Sequence, residues 1–191
     1  MQTINLPRIG TDRAWRDAAR LHLRLGTRPE DLLWQFDEPD QNDLFANNSS
    51  QPSPPKQQIT LPRDAVSLLN KVVWHADPER FAAAYRFLWR LRDNPQLIRD
   101  TADPDLIRLR GMEKNVRRCA HKMKAFVRFR DIATGTTVRR RFVAWFEPTH
   151  HTVEPTAPFF ARRFAVMDWM IVTPDVTGAI SKDAVSLKFT S

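Results

Sequence analysis

A carboxylate and two imidazoles lie close together in the segment Glu147-Pro148-Thr149-His150-His151. Side chains of these types transfer protons or bind metal ions. Neighbouring residues of an extended chain point to opposite sides, so the two histidines are poorly placed to share one ion. Glu147, His150 and the more distant His121 are therefore catalytic candidates if the protein is an enzyme. The pattern itself favours a loop that packs against a sheet.

The strongest chemical signal is positive charge between residues 108 and 141. The whole chain carries 30 basic and 22 acidic residues, and these 34 positions alone hold 12 basic and only two acidic residues. Such a local cationic excess is typical of proteins that bind polyanions. A solvated arginine-rich surface is the first alternative, and an acidic lipid or protein partner is the second. The residues predicted to bind nucleic acid are Arg117, Arg118, His121, Lys122, Lys124, Arg128, Arg130, Arg139, Arg140 and Arg141.

A predicted hairpin arranges half of these side chains. Alternating residues predict strands over 125–130 and 138–146, joined by a turn at Thr134-Gly135. This register gives two opposed pairs, Arg130 with Arg139 and Arg128 with Arg141, and a slip by one residue would place Arg140 opposite Arg130. Like charges directly opposite one another destabilise a strand pair by up to ~1 kcal/mol. A polyanion lying across the four arginines would offset that repulsion.

The tryptophans and the single cysteine have simpler interpretations. Large aromatic side chains can stack on bases, but they more often belong to the core, and this applies to Trp74, Trp89, Trp145 and Trp169. Cys119 lies on an apolar helical stripe, which is typical of a small buried residue. One cysteine excludes a disulfide framework or a cysteine zinc cluster within the chain, and no glycine pattern resembles a phosphate loop. We therefore predict no metal and no cofactor.

The expected cellular location of the chain follows from the absence of membrane-spanning and signal-peptide patterns in its sequence. No apolar run approaches the ~18 residues of a membrane span, and the first residues have no apolar signal-peptide core. We expect a reducing cytoplasm and no membrane partner.

The order of the periodic segments predicts an α+β fold, with N-terminal helices followed by a small antiparallel sheet and one or more packed helices. Thr11-Asp12 is the predicted N-cap of a first helix, which Gly26 ends, and further helices are expected from Asp77-Pro78 and Asp103-Pro104 and over 158–165. Strands are expected over 169–172 and, at an edge of the sheet, over 185–189. Polar residues, serines and prolines dominate the segment that ends near residue 60. We predict a small helix–strand unit over 1–36, a flexible linker or long loop over 37–60, and a main α+β domain over 61–191.

Four motifs carry a family resemblance, which extends over about 11–189. They are Arg117-Arg118-Cys119-Ala120-His121-Lys122-Met123-Lys124-Ala125-Phe126-Val127-Arg128-Phe129-Arg130, Ala144-Trp145-Phe146-Glu147-Pro148 with His150, Pro158-Phe159-Phe160-Ala161-Arg162-Arg163-Phe164, and Ile171-Val172-Thr173-Pro174. They resemble a bacterial domain of unknown function with a probable role in DNA metabolism. That domain is often fused ahead of a uracil-DNA-glycosylase-like, uracil-DNA-binding domain, and elsewhere it is encoded beside a radical-SAM protein.

The resemblance implies a role in DNA repair but carries over no catalytic residue. The partners it implies are DNA, a glycosylase-like domain fused or in trans, and a radical-SAM protein. The family pattern usually has Asp at the place of Cys119 and His at the place of Lys124. Any catalytic function of those two residues in relatives would therefore be lost here.

Taken together, the residues and the resemblance predict a non-enzymatic, nucleic-acid-binding accessory domain of a DNA repair or DNA metabolism system. Its contacts to phosphates would come from the basic helix and hairpin. Two alternatives stay open. One is an enzyme that acts on damaged nucleic acid through Glu147, His150 and His121, and the other is a module that docks a glycosylase-like or radical-SAM partner.

Overall fold

The computed structural model describes residues 1–36, 60–132, 140–181 and 184–190. These residues contain five α-helices and seven β-strands, which confirms the α+β class. They form two compact units, the first from Met1–Val73 with Asp77–Glu113 and the second from Trp74–Ala76 with Lys114–Ser191. None of the helices in the described ranges is long and apolar enough to span a bilayer. The predicted linker lies outside the described residues except for Thr60, and the predicted domain boundaries stay a prediction.

The chain begins with two parallel strands connected by a helix. Strand β1 (Gln2–Leu6) pairs in register with β2 (Leu32–Phe36), and α1 (Thr11–Leu25) connects them. Gly26 ends α1 with a positive φ of 69°, as the sequence predicts. The predicted N-cap at Thr11 is wrong. Gly10 occupies the cap with a φ of 73°, while the Thr11 hydroxyl donates a 2.7 Å hydrogen bond to the Pro7 carbonyl.

Three more helices follow, namely α2 (Arg63–Val72), α3 (Arg80–Asp93) and α4 (Pro104–Phe126). Helix α4 begins in the first unit and ends in the second. Its start is capped by Asp103, whose Oδ1 accepts a 2.9 Å hydrogen bond from the Leu106 N–H. The predicted Asp-Pro start signal is therefore confirmed at this helix.

Helix α4 extends further than the sequence analysis predicts. The apolar stripe of Val116, Cys119 and Met123 continues to the buried Val127, whose N–H donates to the Met123 carbonyl at 3.1 Å. Packing on this stripe keeps the chain helical through Phe126. The predicted strand over 125–130 is consequently wrong, and the strand there, β3, is only Arg130–Asp131.

The second unit is built on a five-stranded sheet in the order β3-β4-β5-β6-β7. Its further strands are β4 (Arg141–Trp145), β5 (Asp168–Val172), β6 (Thr177–Ser181) and β7 (Ala184–Thr190). The sheet is mixed rather than wholly antiparallel, because β4 and β5 run parallel while the other pairs are antiparallel. Helix α5 (Val153–Arg163) supplies the crossover that a parallel pair requires. The predicted edge position of the last strand is confirmed.

Aromatic side chains cover one face of this sheet. Phe160 of α5 contacts Phe129 and Trp169, and Phe164, which follows the helix, contacts Phe129, with ring centroids 5.0 to 6.1 Å apart. Trp169 and Phe160 are almost completely buried. The core of the second unit therefore lies between α5 and this inner face. The opposite, outer face carries the residues considered next.

Candidate nucleic-acid interface

The second half of α4 presents a row of basic side chains to solvent. Its buried stripe faces the core, so the side chains between the stripe positions are exposed, namely Lys114, Arg117, Arg118, His121, Lys122 and Lys124. None of the six has an acidic partner among the described residues. Four of them, Arg117, Arg118, His121 and Lys122, line a shallow depression of about 320 Å³. Lys124 lies over the ring of Phe159, 5.3 Å from its centroid.

The basic residues of α3 and of the first half of α4 are arranged differently, because many pair with acids. Arg86 contacts Asp105 at 2.9 Å, and Arg90 contacts both Asp103 and Asp105. Ion pairs of 3.0 Å also join Arg108 to Asp77 and Lys71 to Glu113. Much of the charge excess of the sequence therefore lies on exposed basic side chains that have no acidic partner in the part of the chain that the structure describes.

The two strands β3 and β4 pair in a register that the sequence analysis did not predict. Arg130 lies opposite Val143, and the Ile132 N–H donates a 2.9 Å hydrogen bond to the Arg141 carbonyl. The pairing of Arg130 with Arg139 and of Arg128 with Arg141 is therefore wrong. The predicted and the observed registers differ by an even number of residues, so Arg130 and Arg141 still share one face of the sheet. Arg139 and the Thr134-Gly135 turn lie outside the described residues.

Two of the predicted arginines also make contacts within the protein. The Nη1 atom of Arg128 donates to the carbonyls of Ala125 at 2.7 Å and Val127 at 3.1 Å, at the end of α4. Arg140 donates through Nε to Asp131 at 2.9 Å and lies over the Phe142 ring. Since Asp131 and Phe142 are paired in the register, Arg140 is on the opposite side of the sheet from Arg130. Arg140 is thus neutralised and separate from the other arginines.

Trp145 is the residue whose environment differs most from its expected one. Its side chain is 63% exposed on β4, whereas Trp74 and Trp169 are buried as expected. Beside it is a depression of about 570 Å³, which lies within the ~300–1,000 Å³ range of ligand sites. The depression is lined by Phe126, Arg128, Arg130, Val143, Ala144, Trp145 and Val172. The apolar run around Trp145 predicts a central strand, but it does not reveal that one face of that strand is uncovered.

One of the catalytic candidates, His150, makes its contacts with other groups of the protein. The Nδ1 atom of His150 accepts a 3.1 Å hydrogen bond from the Ala76 N–H, and its ring stacks on His75 with centroids 4.3 Å apart. Burial, and to a lesser degree the neighbouring His75, lower the pKa of His150. Among the described residues, no hydrogen bond or ion pair connects Glu147, His150 and His121. No group of three metal-binding side chains occurs in the described ranges either.

Comparison with known proteins assigns the chain to a family. Residues 78–188, more than half of the sequence, match the domain of unknown function DUF4130. The chain belongs to the DUF4130 family. No curated protein and no solved structure matches it. The matched region of DUF4130 includes the row of basic side chains on α4, all of β3 to β6 and most of β7.

The cysteine of this DUF4130 member is buried, as its position on the helical stripe predicts. Its Sγ lies 3.4 Å from the Thr152 hydroxyl, just before α5 begins. The Thr156 hydroxyl donates to the Thr152 carbonyl at 2.6 Å and lies 3.1 Å from the Met123 sulfur. These contacts join α4 to α5 through a buried group of hydroxyls and sulfur atoms. The sequence contains no signal for this pairing, because the residues are about 30 positions apart.

Proposed function

We propose that this DUF4130 domain is a nucleic-acid-binding accessory domain of a bacterial DNA repair or DNA metabolism system. The phosphate contacts would come from the basic surface, by which we mean Arg117, Arg118, His121, Lys122, Lys124, Arg128, Arg130 and Arg141. One observation carries the proposal. All of these side chains are exposed, and none has an acidic partner among the described residues, whereas many basic residues of the first unit are paired.

Exposed basic side chains without acidic partners suit a polyanion for a physical reason. Each Lys or Arg that neutralises a phosphate releases condensed counterions, so affinity falls steeply as salt rises. A cation already paired with Asp or Glu would have to break that pair first. Arg128 and Lys124 each keep a positive charge while contacting a carbonyl or an aromatic ring. The basic surface can therefore bind phosphates without losing ion pairs within the protein.

The wider biological context rests on the resemblance described above. A glycosylase-like domain or a radical-SAM protein would be the partner that supplies chemistry, while this domain would hold the nucleic acid. The contacts of His150 with backbone and with His75 give no support to an enzyme that uses His150.

The proposal is tested by binding of a fluorescent duplex and a fluorescent single strand of equal length to the full chain, across a salt series. We expect micromolar or tighter binding at low salt and a steep salt dependence. Arg118→Gln and Lys122→Gln should each weaken binding equally across sequences and lower the salt slope by ~1, because each removes one phosphate contact.

The matched control is Arg13→Gln, which removes an exposed arginine of α1 in the first unit. This variant should bind like the original chain. Absence of binding at low salt would refute the proposal. Unchanged binding and slope in both surface variants would show that the basic surface is not the site.

A further inference from the structure

The outer face of the sheet is open and mixed in character. The register places Arg130 of β3, Val143 and Trp145 of β4 and Met170 of β5 on this face, since paired residues point to the same side. Lys188 of β7 reaches the same face through its pairing with Ala179. Trp145 is 63% exposed and Met170 38% exposed, while Arg130 and Lys188 are also exposed.

The chemistry is concentrated at the β3 end of this face. Phe126, the last residue of α4, is 62% exposed and lines the same depression as Trp145. Arg128 and Arg130 line it as well. Two aromatic rings with most of their surface in water therefore share one depression with two guanidinium groups. An acidic residue, Asp168, lies opposite Arg141 in the register.

The charge on this face decides between the possible occupants. A second copy of the chain, related by a twofold axis, would bring the arginines of the two depressions towards each other. Like charges at an interface oppose association, so self-association through this face is disfavoured. A ligand that carries both flat rings and negative charge can stack on the aromatic groups and pair with the cationic groups at the same time. Nucleotides have both properties.

Base pairing decides between duplex and single strand. In a duplex the faces of the bases are covered by their neighbours, whereas unpaired bases can lie flat on aromatic side chains. We propose that the outer face binds unpaired nucleotides, with Trp145 and Phe126 stacking on bases and Arg130 and Arg141 contacting the adjoining phosphates. This inference rests on the proposed function and names its substrate class, which is single-stranded nucleic acid.

The test uses three fluorescent probes of equal length and the full chain. The probes are an oligothymidylate of ~12 nucleotides, within the site sizes known for such surfaces, a fully abasic strand, and a duplex. Trp145→Ala should weaken binding of the oligothymidylate about tenfold, because a stacked base is lost. The same variant should bind the abasic strand like the original chain. Arg130→Gln should weaken binding of both strands.

Two further variants serve as controls. Trp145→Phe keeps a ring and should retain most of the affinity for the oligothymidylate. Trp89→Ala removes a partly exposed tryptophan of α3, which lies under Arg92 at 4.0 Å, and should leave all three affinities unchanged. Thermal unfolding of each variant checks folding, and the exposure of Trp145 predicts little change for Trp145→Ala.

The outcomes separate the two proposals. If none of the three probes binds at low salt, the proposed function fails. If the probes bind but Trp145→Ala changes nothing, or weakens the abasic strand equally, the stacking inference is overturned and phosphate binding stands. Tighter binding of the duplex than of the oligothymidylate also overturns it. The stacking inference is also overturned if sedimentation shows that Trp145→Ala turns a dimer into a monomer without changing the affinity for the probes.

Discussion

The imidazole of His150 accepts a hydrogen bond from the Ala76 N–H and is stacked on His75. Burial, and to a lesser degree the neighbouring His75, disfavour the charged ring, and the Nδ1 atom can accept this hydrogen bond only while it is unprotonated. The pKa of His150 accordingly lies below its usual value near 6.5. At the scale of single residues, protonation of His150 thus makes the stability of the folded chain depend on pH.

The direction of the pH effect follows from proton binding. Between the lowered pKa and about 6.5, the unfolded chain holds a proton on His150 that the folded chain does not. Stability is therefore fully present above pH ~6.5 and falls as the pH drops below it. His150→Gln, whose amide oxygen can still accept the Ala76 hydrogen bond, should reduce the difference in urea midpoint between pH 7 and pH 5.

Part of that difference should remain in the variant, because burial also lowers the pKa of His22. The control is His121→Gln, which changes an exposed histidine of α4 and should leave the difference intact. If His150→Gln loses as much stability between pH 7 and pH 5 as the original chain, the pH dependence is not caused by His150.

At the scale of elements, the contacts of its first turn stabilise α4. Asp103 is 5% exposed, caps the Leu106 N–H and forms an ion pair with Arg90. Arg90 also contacts Asp105, so α3 and the start of α4 are connected by two carboxylates. The hydrogen bond from Arg90 lowers the pKa of Asp103. The stability it contributes is therefore lost as the pH falls below the usual range of Asp.

Removing this carboxylate should destabilise the fold. Asp103→Ala takes away the cap and leaves Arg90 without one partner, so we expect a loss of ~2–4 kcal/mol in the free energy of unfolding. Asp103→Asn keeps an oxygen for the Leu106 N–H and should lose less. Urea unfolding at pH 7 measures both values.

The comparison variant is Asp17→Asn in α1. Asp17 pairs with Arg13 at 3.9 Å, and both side chains are well exposed, so the expected loss is only ~0–1 kcal/mol. Equal losses from Asp103→Ala and Asp17→Asn would show that the cap and ion pair do not stabilise α4.

At the scale of the whole molecule, the net charge of +8 is concentrated rather than spread. Exposed cations on α4 repel one another when no polyanion is bound, and this repulsion destabilises the folded state. Salt weakens it, because the screening length falls from ~30 Å at 0.01 M to ~10 Å at 0.1 M. The urea midpoint of the free protein should therefore rise with sodium chloride over this range.

Charge reversal distinguishes local repulsion from a general effect of net charge. Arg118→Glu should raise the midpoint at low salt and make it less dependent on salt. Arg13→Glu changes the net charge by the same amount but lies in α1 beside Asp17, so it should lower the midpoint. Identical responses of the two variants would assign the effect to net charge alone.

Much of the fold could be predicted because its signals are local. Gly26 ends α1 through its own backbone conformation, and Asp103 begins α4 through a hydrogen bond to a residue three positions away. The stripe of Val116 and Met123 is visible in the spacing of the apolar residues alone. The cationic segment is likewise a matter of residue types, and so is the family assignment made from them.

The rest depends on which distant residues meet. The pairing of β1 with β2 joins positions 30 residues apart, and the register of β3 with β4 is set by contacts that a turn signal does not specify. Alternation along a strand shows that it has two faces, but the packing of α5 determines which face is covered. Trp145 is exposed and Trp169 buried for that reason, since neighbouring strands pair them onto opposite faces of one sheet.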